Sequence, residues 1–182
     1  MGLRNRSQFE SFNCFFVTTT CVDFKPLIQL ADAYGLISES LSFVNKKYEV
    51  SMLGYALMPN HIHLILYFRT TNKLSDYMRD MKKFTSTWIR KKLEENGLTK
   101  TIDNLRIDAP DRVFQVWNDR FDDQCLFNRK DVKIRLNYVH NNPLQAHWKL
   151  AKRPEEYAFS SAAFYEMGFQ NLLTVTDYRD FF

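Results

Sequence analysis

Apolar and polar positions recur along the chain with two periods, and these periods divide it into elements. Residues 13–22 (NCFFVTTTCV) are dense in β-branched and aromatic side chains and predict a first strand, closed by Lys25-Pro26. From 27 to about 47 the residues Leu27, Leu30, Ala31, Tyr34, Ile37, Leu41 and Val44 recur at three and four, the stripe of one amphipathic helix. Two short apolar runs, 48–57 and 61–68, flank Pro59-Asn60 and predict a hairpin. A second amphipathic helix over 73–93 turns Leu74, Tyr77, Met78, Met81, Trp88 and Ile89 inward, and Asn96-Gly97 stops it. Residues 98–111 read as a polar loop and 112–117 (RVFQVW) as a fourth strand. A third helix over 130–142 ends at Pro143, since the residue before proline is disfavoured in helix.

Strand, helix, strand, strand, helix, strand is the split β-α-β order of ferredoxin-like folds. The expected class is therefore α+β: an antiparallel sheet with helices packed on one face, an added C-terminal helix, and an extension. No repeat or low-complexity linker divides the chain. The expected organisation is a single domain, 1–182, with a core over 10–146 and an extension over 147–182 packed on it. At 182 residues and 45% apolar content the chain can bury a sizeable core.

Composition excludes some classes. The 25 basic and 21 acidic residues leave a formal charge of +4, too modest to demonstrate a nucleic-acid partner. No apolar run approaches the roughly 20 residues of a membrane span, so no membrane partner is expected. The first 13 residues lack a signal peptide's apolar centre, and Arg6 stands where myristoylation needs Ser or Thr. Cys14, Cys21 and Cys125 show no CxxC spacing and read as reduced thiols of a cytoplasmic protein.

The candidate chemistry begins at His61-Ile62-His63, just after the turn. Side chains alternate along a strand, so His61 and His63 share one face while Ile62, Leu64 and Leu66 line the other. Two imidazoles one strand-step apart make half of a metal site. Alone, such a pair reads more simply as two polar residues on a wet strand face. A second segment, 136–142 (LNYVHNN), shifts the balance. On a helix Tyr138 and Asn142, four apart, are neighbours on one face. Val132, Leu136 and Val139 form the adjoining apolar stripe, and His140 projects from the opposite flank.

The run Met58-Pro59-Asn60-His61-Ile62-His63-Leu64, with Tyr138-Val139-His140-Asn141-Asn142-Pro143 downstream, resembles the REP-associated tyrosine transposases. These belong to the one-tyrosine (IS200-like) group of HUH transposases and nucleases. Phe16-Val17-Thr18-Thr19, Trp117, Glu155-Glu156-Tyr157 and Ser160-Ser161 fit the same pattern, over about 10 to 165. The resemblance implies a metal-dependent endonuclease and strand transferase acting on single-stranded DNA near hairpin repeats. Tyr138 would be the nucleophile and would form a 5′-phosphotyrosine link. His61 and His63 would be metal ligands, joined by Asn142. Open coordination positions for phosphate and water favour Mg²⁺ or Mn²⁺ over zinc. Relatives of this kind act as a monomer or as a homodimer.

Arg129, Lys130, Lys133 and Arg135 surround the start of the tyrosine helix and are candidate phosphate contacts. Lys82 and Lys83, near Arg90, Lys91 and Lys92 on the second helix, form another cluster, equally readable as a solvated face. Two other readings stand beside the nuclease. One is a DNA-hairpin-binding protein on the same fold that is catalytically silent. The other is a zinc hydrolase with water as nucleophile, for which no motif places a carboxylate base.

Overall fold

The computed structural model describes residues 12–110 and 112–182. The reading of the first residues as carrying no leader, and the start of the core at residue 10, fall outside the described residues. Four strands form an antiparallel sheet: β1 (Cys14–Thr20), β2 (Val50–Leu57), β3 (His61–Phe68) and β6 (Asp122–Cys125). Their order is β2-β3-β1-β6, which is the ferredoxin-like order 4-1-3-2 read from the other edge. Helices α1 (Leu27–Leu30), α2 (Tyr34–Lys47) and α3 (Leu74–Glu95) bury their stripes against Phe15, Val17, Ile62, Leu64 and Leu66 on one face. Helix α5 (Arg129–Asn141) lies on the other face, where Val132, Leu136 and Val139 meet Phe16, Leu53, Ala56 and Ile65. The sheet is thus buried on both sides, and the histidine face is not a wet one.

Close approach of α5 depends on Gly54, which sits at a register irregularity in β2. A Cβ built there would lie 2.5 Å from Leu136 Cδ2, so the strand makes room for the helix by omitting a side chain.

The structure corrects several expectations. The helix expected over 27–47 is two, because Asp32 adopts φ 46°, a left-handed conformation that stops α1. The first-turn amides of Ile28 and Gln29 donate to the Pro59 carbonyl at 3.1 and 3.3 Å, anchoring α1 on the hairpin turn. The sheet's fourth strand is not 112–117 but Asp122–Cys125. As an edge strand, β6 buries only Asp123 and Cys125 and exposes the positions between, so it carries no apolar run. Within 98–117 the chain forms α4 (Thr99–Asp103) and a separate ribbon of β4 (Arg106–Ala109) with β5 (Arg112–Phe114). Trp88 is exposed rather than inward. Asn142 keeps helical angles (φ −57°, ψ −45°) despite preceding proline, and a 3-10 turn, Asn142–Leu144, continues α5.

The C-terminal extension, with α6 (Ala162–Met167), runs along the outer edge of β2. Leu57 N–H donates to the Phe159 carbonyl at 2.9 Å, Ser161 N–H to Tyr55 at 3.0 Å, and Thr176 N–H to Met52 at 2.9 Å. These bonds satisfy an edge that would otherwise be open. Among the described residues no helix is long and apolar enough to cross a membrane.

Candidate active site

Strand register sets the first half of the site. Thr20 pairs with His61 and Thr18 with His63, so both imidazoles project from the α5 side of the sheet. Their Nε2 atoms stand 3.1 Å apart. His61 Nδ1 lies 2.6 Å from Asn60 Oδ1. The Asn60 amide is oriented by its own Nδ2, which donates to the Phe24 carbonyl at 2.8 Å. An amide oxygen only accepts, so His61 carries its proton on Nδ1 and turns the Nε2 lone pair toward His63. His63 Nδ1 meets Thr18 Oγ1 at 2.8 Å.

Burial pushes the His61 pKa down to about 4, opposed by the Asn142 amide and reinforced by His147. His63, only 2% exposed, is pushed down to about 3 by burial first, then by the charges of His61 and Arg135. Both imidazoles are therefore neutral at physiological pH, the form that can ligate a cation.

Helix α5 supplies the second half. Its N-terminus is fixed by Asn128, whose side chain accepts from the Asp131 N–H at 3.0 Å. Ten residues on, the Tyr138 ring lies 5.3 Å from that of His63 and 5.9 Å from that of Phe16, with 42% of the residue exposed. One turn later Asn142 is buried beside His61, and its Oδ1 has no hydrogen-bond partner among the described residues. The helix thus brings Tyr138 to His63 and Asn142 to His61. His140 stands apart: its Nε2 meets Ser161 Oγ at 2.8 Å on the far flank.

These residues fit a divalent cation. Adjacent ligands about 2.0–2.1 Å from one ion are about 2.9–3.4 Å from each other, and the two Nε2 atoms are 3.1 Å apart. The orphaned Asn142 oxygen would be the third donor. Among the described residues no cluster of three His, Cys, Asp or Glu side chains forms; the set here is two imidazoles and an amide.

A cleft of about 300 Å³ opens in front of Tyr138, lined by Phe16, Thr18, His63, Asp122, Asp123, Gln124 and Arg135. Of the basic candidates, Arg135 reaches it, its guanidinium 5.0 Å over the Phe16 ring and bonded to the Gln124 side chain. Arg129 donates to the Arg179 carbonyl at 2.9 Å instead. Lys130 and Lys133 are exposed on α5. Lys83 is exposed on α3, on the other face of the sheet. Lys82 donates to the carbonyls of Asn118, Asp119 and Arg120 at 2.8, 3.2 and 3.3 Å, pinning the loop that leads into β6. Sequence reasoning missed Gln124 and Asp122, which lie on the strand it misplaced. It also gave no role to Thr18 and Asn60, whose partners are set by register and by a turn. Trp148 neighbours His61, 5.9 Å from it, and His147 lies 5.2 Å from Trp148. Only a lone aromatic signalled that position.

Residues 27–102 match the family model described as "Transposase IS200 like". That span includes both histidines and ends before α5. Among solved structures the chain is similar to that of a REP-associated tyrosine transposase bound to a REP hairpin. The TM-score is 0.63 at 18% identity, covering 91% of this chain and 86% of that one. A candidate transposase from Deinococcus radiodurans R1 aligns at a TM-score of 0.42 and 14% identity, covering 70% of this chain and 88% of that one. No curated protein matches the chain. The family model thus matches part of the chain to the group that the motifs resemble, and the fold is that of the REP-associated structure.

Proposed function

For a chain with the IS200-like transposase signature and the fold of a REP-associated tyrosine transposase, we propose a metal-dependent endonuclease and strand transferase acting on single-stranded DNA. The observation that carries this reading is the meeting of Tyr138 and Asn142, on successive turns of α5, with His63 and His61 in one chain. Tyr138 is the nucleophile. Its phenol oxygen bonds to phosphorus, the P–O3′ bond breaks, the phenol proton is lost and the departing 3′-oxygen takes one up. The product is a 5′-phosphotyrosine and a free 3′-hydroxyl, and because the ester energy is retained, another 3′-hydroxyl can reverse the step without ATP.

A phenol with pKa near ~10 attacks slowly unless charge at the phosphate is offset. His61, His63 and Asn142 would hold Mg²⁺ or Mn²⁺, which supplies that offset by polarising a phosphate oxygen. Arg135, one turn before Tyr138 on the cleft wall, holds the phosphate from the other side. Lys130 and Lys133 extend the cationic surface along α5. Since one chain provides both halves, a monomer is sufficient for cleavage. The substrate is single-stranded DNA beside a hairpin, by analogy with the hairpin on the similar structure.

Incubation with labelled hairpin-bearing single strands and Mn²⁺ or Mg²⁺ tests the reading. A covalent adduct that survives denaturation is expected, and Tyr138→Phe should abolish it while leaving binding nearly intact. An adduct that persists in Tyr138→Phe would reassign the nucleophile. Binding without any adduct would make the protein a silent hairpin binder.

A further inference from the structure

The aromatic rings around the site follow one another in a row. Tyr138 lies 5.3 Å from His63, His63 4.6 Å from His61, His61 5.9 Å from Trp148, and Trp148 5.2 Å from His147. Tyr138 thus neighbours His63 and Trp148 neighbours His61, so the imidazole pair links the nucleophile to the indole. We infer that Trp148, with His147 at its rim, is the stacking platform for the base of the nucleotide whose 3′-oxygen departs. The inference rests on the nuclease reading above and gives it a direction along the strand.

In a phosphoryl transfer the entering and leaving oxygens are roughly in line through phosphorus. Tyr138 attacks from the His63 side, so the leaving oxygen and its nucleoside emerge on the His61 side, where Trp148 stands. Trp148 is half-buried and His147 exposed, so the pair is held in place yet keeps a face for a ligand. A tight turn fixes it: the Trp148 N–H donates to the Gln145 carbonyl at 2.8 Å, and the Leu150 N–H to Pro143 at 2.9 Å. That turn follows Asn142-Pro143 directly, so the segment that sets the third metal donor also sets the indole. Stacking on an indole suits an unpaired base of any identity, because every base has a π-face. A duplex keeps its bases stacked on each other and offers none, so this subsite selects single strand next to the hairpin.

The test uses the full-length protein. The cleavage point of a hairpin-bearing oligonucleotide is mapped with the wild type. The base on the 3′-hydroxyl side of that point is then replaced by 2-aminopurine, or removed as an abasic site. In the Tyr138→Phe background, 2-aminopurine fluorescence should be quenched on binding, and the quench should be lost in Trp148→Leu, which keeps apolar packing without a stacking face. Trp148→Leu should weaken binding of the intact strand about 5- to 150-fold and leave the abasic strand unaffected; Trp148→Phe should restore most of the loss. Equal weakening of intact and abasic strands would show that Trp148 only supports the fold, and would overturn the inference. A quench confined to the base on the phosphotyrosine side would overturn it as well. A normal adduct with either of these results leaves the nuclease reading standing, whereas absence of any wild-type adduct sinks both.

Discussion

Gly54→Ala is the sharpest test of how the two halves of the site are brought together. The added methyl carbon would lie 2.5 Å from Leu136 Cδ2 and 3.5 Å from Ile65 Cδ1 and Ser161 Oγ. Carbon atoms rest at about 3.5–4.0 Å, so Leu136 and the new carbon must separate by about 1 Å. Leu136 is 4% exposed and packed beside Val132 and Val139, so its methyl cannot swing into open space. Overpacking of this kind costs about 1–3 kcal/mol. Tyr138 is two residues further along the same helix, and misplacement of a reacting group by about 1 Å costs on the order of 10²-fold in rate. Urea denaturation in EDTA should show the loss of stability, and single-turnover adduct formation a fall of at least about 10-fold. Adding Leu136→Ala should return part of the rate while deepening the stability loss by less than the two changes summed, since they share one space. A Gly54→Ala protein within about 0.5 kcal/mol of wild type that forms adduct at the normal rate would refute the reasoning, because Leu136 would then have yielded without cost.

Three further outcomes are expected. Thr18→Val removes the partner 2.8 Å from His63 Nδ1; Mn²⁺ affinity by calorimetry should fall about 10- to 100-fold, and an unchanged affinity would show that Thr18 does not orient His63. In EDTA, stability should fall as pH drops from about 6.5 toward 4, because the unfolded imidazoles of His61, His63 and His140 take up protons there while burial keeps the native ones neutral to about 4, 3 and 4. His140 alone accounts for up to about 3 kcal/mol; a urea midpoint constant from pH 7 to 4.5 would contradict this. Burial raises the Cys14 and Cys21 thiols to about 12 and Cys125 to about 11, so the native protein at pH 8 should react with thiol reagents only on unfolding, and rapid native labelling would count against the packing.

Which candidate side chains share a face was legible in the sequence, because the signals are local. Alternation on a strand puts His61 and His63 on one face, and a four-residue step on a helix puts Tyr138 beside Asn142. The same periodicities gave β1, the hairpin, α3 and α5. They failed where long-range contacts override local preference: at Asp32, whose left-handed backbone follows an α1 held at its first turn by the Pro59 carbonyl, and at β6, which alternates exposed Asp122 and Gln124 with buried Asp123 and Cys125 and so carries no apolar run. The basic candidates could not be sorted from composition, since Arg135 and Lys82 differ only in what faces them: a cleft for one, three backbone carbonyls for the other.

The amino-acid order alone therefore settled the local facing of each pair. Only the tertiary structure decided that the pairs meet. His63 and His61 are 75 and 77 residues from Tyr138, and what joins them is a missing side chain at Gly54, an apolar stripe on α5, and a buried second sheet face. Local periods say which way a side chain points, whereas the distance between distant segments is fixed by packing, which no single segment contains.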